Sequence, residues 1–119
     1  MTIGEFSKLT GISCSALRYY EEKGLIRVGR DGGNRREYSE KDTEWIKFLQ
    51  KLKNTGMNLG DMKGYSDLRY EGETTVSERL ELLEKHRAYV DGQTAKWREY
   101  SQNLNAKIEL YREMLRRQK

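Results

Sequence analysis

Residues 3–24 read IGEFSKLTGISCSALRYYEEKG, which is two short amphipathic segments separated by a glycine. The apolar residues of the first segment share one helical face, so a helix is predicted over residues 3–9, with Gly11 supplying the turn. The second helix is predicted from about Ser13 until Gly24, a typical stop signal. Two short helices joined by a glycine-containing turn favour a helix-turn-helix.

The same device marks four helix starts along the chain: a capping side chain is followed three residues later by an acid. This arrangement satisfies the free N–H groups of a first helical turn and complements the helix dipole. The four pairs are Thr2–Glu5, Ser39–Asp42, Asn58–Asp61 and Thr75–Glu78. Two further amphipathic helices are accordingly predicted over about residues 40–54 and 59–68.

A glycine-rich turn separates two short stretches with strand character after the second helix. The stretches are residues 25–28 and 36–38, and three glycines, Asp31 and Asn34 lie between them. This pattern predicts a β-hairpin with a mobile tip. A hairpin directly after a helix-turn-helix is a wing. The expected fold class is therefore mainly α: a winged helix-turn-helix followed by a helix pair and one long helix.

The long helix is predicted over residues 76–117, where apolar residues recur with a period of 3.5, as in a coiled coil. At 1.5 Å per residue this helix is roughly 60 Å long, too long to pack on the preceding domain alone. A partner helix is therefore expected. The residues predicted to mediate dimerisation are Leu83, Val90, Trp97, Leu104, Ile108 and Tyr111.

Polar residues interrupt the middle of this seam, at Arg87, Thr94 and Ser101. An imperfect seam suits an antiparallel pair of long helices, so an antiparallel coiled-coil dimer is expected. The predicted division of the chain is a DNA-binding domain over residues 1–70 and a linker with the dimerisation helix over residues 71–119.

The second helix is the predicted recognition helix, whose N-terminal residues would face a major groove. Arg18 can bond guanine through two donors or hold a phosphate, and four arginines within residues 27–36 suit phosphates or a neighbouring minor groove. For Tyr38 the alternatives are packing at the base of the wing and contact with a phosphate. The candidate DNA-binding residues are Ser13, Ser15, Arg18, Tyr19, Arg30, Arg35, Arg36, Tyr38 and Lys53.

Three stretches resemble the MerR family of bacterial transcription regulators. Residues 16–26, ALRYYEEKGLI, resemble the recognition-helix signature of that family, and residues 33–39, GNRREYS, resemble its wing. Residues 55–59, TGMNL, resemble the junction between its third and fourth helices. The order of the predicted elements also matches, so the resemblance covers essentially the whole chain.

The resemblance implies a mechanism. A homodimer binds a near-palindromic operator inside a promoter whose two elements are spaced too far apart. The dimer bends and untwists this double-stranded DNA, so that RNA polymerase can engage both elements. By position, the family's DNA contacts fall on Arg18, Tyr19, Arg36, Tyr38 and Lys53.

The sequence leaves the effector of such a regulator open. Metal-sensing members carry cysteines near the start of the long helix, where this chain has none, so no metal site is expected. The sequence after Gly56 is most similar to a subgroup with thiol- and aldehyde-responsive members, but Lys51 occupies the position of their reactive cysteine. Cys14, the single cysteine, is interpreted as a packing residue, with a thiol switch as the alternative. His86, the single histidine, is interpreted as an interface residue.

A small-molecule pocket between the fourth helix and the long helix of a partner is one hypothesis for a set of aromatic residues. The alternative is that these residues belong to the core, which is typical of aromatics at helical spacing. The set consists of Tyr65, Tyr70, Tyr89, Trp97 and Tyr100.

The composition limits the classes of function. Of 119 residues, 35% are hydrophobic and 35% are charged, with a net charge of +4, so the core is thin and polyanions are mildly favoured. One cysteine excludes an internal disulfide, and no apolar run approaches the ~20 residues of a membrane span. A soluble cytoplasmic protein without membrane partners is expected. No cofactor motif or acid–base constellation points to an enzyme.

Two alternatives to a promoter-remodelling regulator remain at this stage. One is a repressing or architectural DNA binder that occupies its operator without an effector. The other is a helical adaptor whose long helix binds a protein and whose basic wing is incidental. Activation versus repression, the operator sequence and the target genes are all open.

Overall fold

The computed structural model describes residues 1–118, and this part of the chain holds five α-helices, a two-stranded hairpin and a 3₁₀ turn. In chain order these are α1 (Ile3–Thr10), α2 (Cys14–Glu22), β1 (Gly29–Arg30), β2 (Arg36–Glu37), α3 (Glu40–Asn54), α4 (Leu59–Glu71), the 3₁₀ turn (Glu73–Thr75) and α5 (Val76–Arg117). The predicted mainly α fold, with a winged helix-turn-helix, a helix pair and a long last helix, is confirmed. The antiparallel pairing of that last helix stays a prediction.

The first two helices begin where the sequence predicts, α1 at the predicted cap Thr2 and α2 next to Ser13. Thr2 Oγ1 accepts a hydrogen bond from the Glu5 N–H, and the Glu5 carboxylate accepts one from the Thr2 N–H, both 3.1 Å long. Ser13 Oγ accepts a 3.1 Å hydrogen bond from the Ala16 N–H. Between the helices, Gly11 adopts a φ of 75°, a left-handed conformation that glycine takes at little cost. The helix-turn-helix is therefore built by local signals.

The segment after α2 belongs to the core, and the predicted strand over residues 25–28 is wrong. Leu25 and Ile26 are buried. The Leu25 carbonyl accepts hydrogen bonds from Trp45 Nε1 (2.9 Å) and Ser66 Oγ (2.7 Å). Because these side chains take the place of a ladder partner, strand pairing starts only at β1. There Gly29 pairs with Glu37 and Arg30 with Arg36, in antiparallel register.

The helix pair completes the core of the first compact unit, which spans residues 1–82. Helix α3 has the predicted bounds and buries Trp45, Ile46 and Leu49. Helix α4 buries Met62 and Tyr65 as predicted and runs three residues beyond the predicted end. The Trp45 and Tyr65 rings stack with centroids 5.8 Å apart, so aromatic contact joins the two helices.

The cap predicted at Thr75 is wrong. Thr75 is buried, and its Oγ1 donates to the carbonyls of Leu68 (2.6 Å) and Gly72 (2.8 Å) instead of capping with Glu78. The 3₁₀ turn leads directly into α5, and the Arg79 guanidinium donates to the Gly72 carbonyl (3.1 Å). These contacts hold the first turns of α5 to the end of α4. For this reason the first unit extends to Leu82, past the predicted division at residue 70.

The second unit begins at Leu83 and lies within α5. Helix α5 has 42 residues and none of them is buried. Its exposed apolar side chains include Trp97 (68% exposed) and Leu104 (67%), two of the predicted seam residues. No helix in residues 1–118 is both long and apolar enough to cross a membrane.

Candidate nucleic-acid interface

The outer face of α2 carries Ser15, Arg18 and Tyr19, while Leu17 and Tyr20 point into the core. This separation follows from helical spacing, since positions three and four apart share a face. Arg18 forms no hydrogen bond or ion pair with the rest of residues 1–118. All five of its N–H donors are therefore available to an outside acceptor.

The other predicted DNA-binding residues of α2 differ in the contacts that they already make within the protein. Ser13 Oγ is engaged as the helix cap, and Ser15 Oγ lies 3.3 Å from it. Tyr19 is 44% exposed, and the Lys23 ammonium lies 5.7 Å from the centre of its ring. A phenol and an ammonium thus lie together beside Arg18, a combination suited to phosphate oxygens.

The tip of the wing is organised around Asp31. Its Oδ1 accepts hydrogen bonds from the N–H groups of Gly33 (2.8 Å) and Arg35 (3.0 Å). Asn34 takes a φ of 60°, which asparagine tolerates better than most residues. The Arg35 side chain is 84% exposed and points its charge outward, 3.5 Å from the nearer Asp31 oxygen.

A carboxylate on α2 holds the two other wing arginines. Glu21 Oε1 accepts a hydrogen bond from Arg30 (2.6 Å) and Oε2 accepts one from Arg36 Nε (2.5 Å). The bond to Glu21 raises the pKa of Arg36 above its ordinary value. The wing and the recognition helix are thereby joined by charge-assisted hydrogen bonds, which are stronger than neutral ones.

Tyr38 lies in the core below this cluster. Its ring stacks on Phe6 with centroids 4.4 Å apart, and its hydroxyl is buried without a hydrogen-bond partner among residues 1–118. Burial, and secondarily the charge of Glu21, raises the pKa of Tyr38 above its ordinary value. The position favours packing at the wing base over the phosphate contact that the resemblance implies.

Replacing Tyr38 by Phe tests this assignment. A buried unpaired hydroxyl costs roughly 1–3 kcal/mol, so Tyr38→Phe should raise the free energy of unfolding by about 1 kcal/mol and leave DNA affinity unchanged. Urea unfolding and fluorescence polarisation with labelled DNA measure the two quantities. Tyr19→Phe is the matched control, because it removes an exposed hydroxyl. A loss of DNA affinity in Tyr38→Phe would return Tyr38 to the phosphate contacts.

Lys53 lies at the end of α3, on the side of the recognition helix. It is exposed, and its ammonium lies 3.5 Å from the Tyr20 hydroxyl and 5.7 Å from the centre of the Tyr20 ring. The ring supports the cation without neutralising it, which leaves the charge available to a phosphate.

The aromatic residues predicted to line an effector pocket are divided between the two units. In each unit they contact residues of that same unit. In the first unit, Tyr65 stacks on Trp45, and the Tyr70 hydroxyl accepts a 2.9 Å hydrogen bond from the Arg27 N–H. In the second, Tyr89 stacks on His86, and Trp97 meets Tyr100 edge to face. The pocket therefore stays a prediction, and the core alternative describes Tyr65.

By residue type, the single thiol and the acidic residues are also candidate ligands or reactive groups. Cys14 is half-buried, with its Sγ 3.9 Å from the Ile3 carbonyl oxygen, as the packing interpretation expects. No group of three or more histidine, cysteine or acidic side chains in the described residues is placed to hold a metal ion.

Comparison with known proteins decides the family. The sequence model for the MerR HTH family of regulatory proteins matches residues 1–68, the helix-turn-helix, wing and helix pair. The chain belongs to the MerR family. A helix-turn-helix-type transcriptional regulator of Haemophilus influenzae is 38% identical to this MerR protein over 111 residues, covering 92% of the chain and 82% of the relative. The AdhR regulator of Bacillus subtilis is 36% identical, over 73% of the chain and 63% of the relative.

Solved structures agree with this MerR assignment. HiNmlR, a MerR family regulator lacking the sensor domain and crystallised bound to promoter DNA, has a TM-score of 0.81 at 37% identity. The match covers 94% of this chain and 90% of HiNmlR. A Listeria monocytogenes protein assigned to the same family has a TM-score of 0.87 at 32% identity, over 93% and 85% of the two chains. The relatives are transcription regulators, a class of protein that is not enzymatic.

Sequence reasoning missed the contact between Glu21 and the wing in this MerR protein. Glu21 lies nine residues from Arg30 and fifteen from Arg36. Only the folding of the wing against α2 brings the three together, so no local pattern reports the cluster. The signature of the recognition helix contains two adjacent acids, Glu21 and Glu22, and nothing in the sequence alone tells which of them meets the wing.

Proposed function

We propose that this MerR-family regulator binds a near-palindromic operator in promoter DNA as a homodimer and bends and untwists it. RNA polymerase would then respond through the altered promoter. The observation that carries the proposal is that Glu21 joins α2 to the wing by accepting hydrogen bonds from Arg30 and Arg36. Arg18 and Tyr19 on α2 and Arg35 on the wing are exposed, so their donors are available to DNA.

The two elements suit different parts of the duplex. Helix α2 presents Arg18 for base edges or a phosphate in the major groove, with Tyr19 for the backbone. The wing carries its arginines on a hairpin narrow enough to approach the adjacent minor groove or backbone. Lys53 adds a charge at the end of α3. HiNmlR, which shares this architecture, was crystallised on promoter DNA, and this supports the proposal.

The unburied apolar seam of α5 supports the homodimer. Its exposed side chains include Trp97, Leu104 and Ile108, at spacings of seven and four. Burial of such a stripe against a second copy would remove it from water and place two recognition helices in one particle. Two-fold symmetry in the protein requires two half-sites in the DNA, which is why the operator is expected to be near-palindromic.

The test starts with DNA selected by the protein from a random duplex library. A dimeric regulator should enrich an inverted repeat and bind it with a steep loss of affinity as salt rises. Circular-permutation mobility of the enriched site measures bending. A straight complex would favour the effector-independent repressor or architectural protein. Failure to enrich any sequence would favour the helical adaptor.

Arg18→Ala should weaken operator binding by about 1–3 kcal/mol if Arg18 contacts a base. The loss should fall mainly on the operator, because a base contact is made only there, whereas a phosphate contact would weaken all DNA equally. Fluorescence polarisation on the selected site and on a scrambled duplex separates the two roles. Lys8→Ala, which removes an exposed charge from α1, serves as control. Unchanged affinity in Arg18→Ala would remove this residue from the interface.

A further inference from the structure

Glu21 divides its carboxylate between both strands of the wing. Oε1 accepts from Arg30, on β1, and Oε2 accepts from Arg36, on β2. The Glu21 side chain is only 19% exposed, and the two arginine side chains are 38% and 30% exposed. Partial burial protects both ion pairs from screening by salt. A single residue on α2 therefore fixes both strands relative to the recognition helix.

The arginines keep donors for a second acceptor. Each guanidinium engages Glu21 through one nitrogen, and neither forms another hydrogen bond within residues 1–118. A guanidinium has five N–H donors in a planar fork, so it can hold a carboxylate on one edge and a phosphate on another. Glu21 thus orients Arg30 and Arg36 without exhausting them.

Apart from Glu21, few contacts hold the Arg30 and Arg36 side chains in place. The strands are two residues long, and their ladder pairs only Gly29 with Glu37 and Arg30 with Arg36. Long arginine side chains lose rotamer freedom when they bind DNA, and groups that are already held lose less. An anchor on α2 would therefore favour binding even though the anchor itself is an acid.

We propose that Glu21 is a positioning residue for DNA binding, which holds Arg30 and Arg36 in register with the recognition helix. This inference rests on the proposed function, because it assumes that α2 and the wing bind DNA together. The inference predicts the opposite of what charge alone predicts for the removal of Glu21. An acid beside a DNA-binding surface repels phosphates, so on that basis its removal should strengthen binding to every duplex.

The test compares Glu21→Gln with Glu22→Gln. Both substitutions remove one negative charge from the same turn of α2, but Glu22 is exposed and has no ion pair within residues 1–118. Affinity is measured by fluorescence polarisation on the duplex that the wild-type protein selects from a random library. A scrambled duplex of equal length and composition reports non-specific binding. Each titration is repeated at several salt concentrations, and circular dichroism checks the fold.

Glu21→Gln should lose about tenfold in operator affinity, the effect expected of one charge-assisted hydrogen bond. Its affinity for the scrambled duplex should stay level or rise. The slope of log affinity against log salt on the operator should fall by about one, since a wing phosphate contact is lost. Glu22→Gln should keep the wild-type ratio of operator to scrambled affinity and the wild-type salt slope.

Equal or higher operator affinity in Glu21→Gln would overturn the inference and assign Glu21 to charge repulsion alone. Failure of the wild-type protein to select any sequence would instead overturn the proposed function, and the inference with it. Glu21→Asp covers the case in which the glutamine variant does not fold. It keeps the charge but shortens the arm by one methylene, so positioning predicts a reduced operator affinity and charge alone predicts wild-type binding.

Discussion

The double variant Val90→Glu/Leu104→Glu is expected to be monomeric and to lose nearly all operator binding. Both residues lie on the predicted seam of α5, where Leu104 is 67% exposed. Each such side chain contributes about 1.5–3 kcal/mol when fully buried, and a buried unpaired carboxylate costs more still. Two substitutions in each of two chains should therefore raise the dissociation constant of the dimer by several orders of magnitude.

The loss of DNA binding follows from the loss of the second half-site. A covalent or tight link between two binding modules raises their joint affinity about 10²–10⁴-fold over one module alone. A monomer retains α2 and the wing but reaches only one half-site. Sedimentation equilibrium and polarisation on the selected operator measure the two effects together.

Ala88→Glu/Gln102→Glu is the matched control for the seam. It adds the same charge at the same spacing, at two exposed positions on the opposite face of α5. The control should stay dimeric and bind the operator as the wild type does. If the Val90→Glu/Leu104→Glu protein also stayed dimeric, the seam would have been assigned to the wrong residues.

Trp45→Ala should reduce the free energy of unfolding by about 3–5 kcal/mol, the usual cost of removing a buried tryptophan. Trp45 stacks on Tyr65, donates a hydrogen bond to Leu25, and has the Arg69 guanidinium 4.5 Å from its ring centre. It therefore connects α3, α4 and the segment before the wing. Few small domains tolerate such a loss, since their total stability is about 5–15 kcal/mol.

Urea unfolding at one fixed protein concentration measures this effect, because the stability of the proposed dimer would depend on concentration. Trp45→Phe is the control: it keeps an aromatic ring but removes the donor to the Leu25 carbonyl, which still accepts from Ser66. Its cost should be well below that of alanine. A loss under about 1 kcal/mol in Trp45→Ala would mean that the core does not depend on this side chain.

Local chemistry explains which elements the sequence could predict. Thr2, Ser39 and Asn58 stand next to the helices that they start, so a pattern spanning four residues is enough to locate α1, α3 and α4. The first wing strand was placed too early because Leu25 and Ile26 have strand-like side chains, whereas the second was placed at β2. The Leu25 carbonyl instead accepts hydrogen bonds from Trp45 and Ser66, which are distant in sequence.

The contrast between local patterns and contacts distant in sequence also applies to the candidate DNA interface. Arg18 and Tyr19 could be placed on the outer face of α2 from helical spacing alone. The role of Glu21 depends on a fold that brings positions nine and fifteen residues away to one carboxylate. Burial of Tyr38 is likewise visible only in the fold, and the DNA contact that the resemblance implies for it stays a prediction.

Pairing through α5, as proposed, would link the concentration of this protein to its response, because no residue of that helix is buried within one chain. From Leu83 onward α5 lacks the tertiary packing that supplies most helical stability in proteins. Ordering of the helix and pairing of two chains should then be coupled, and below the dissociation constant the amount of paired protein grows with the square of the total. Each doubling of synthesis would raise operator occupancy about fourfold in that range. A regulator with this property acts as a threshold on its own abundance, even before any signal molecule is considered.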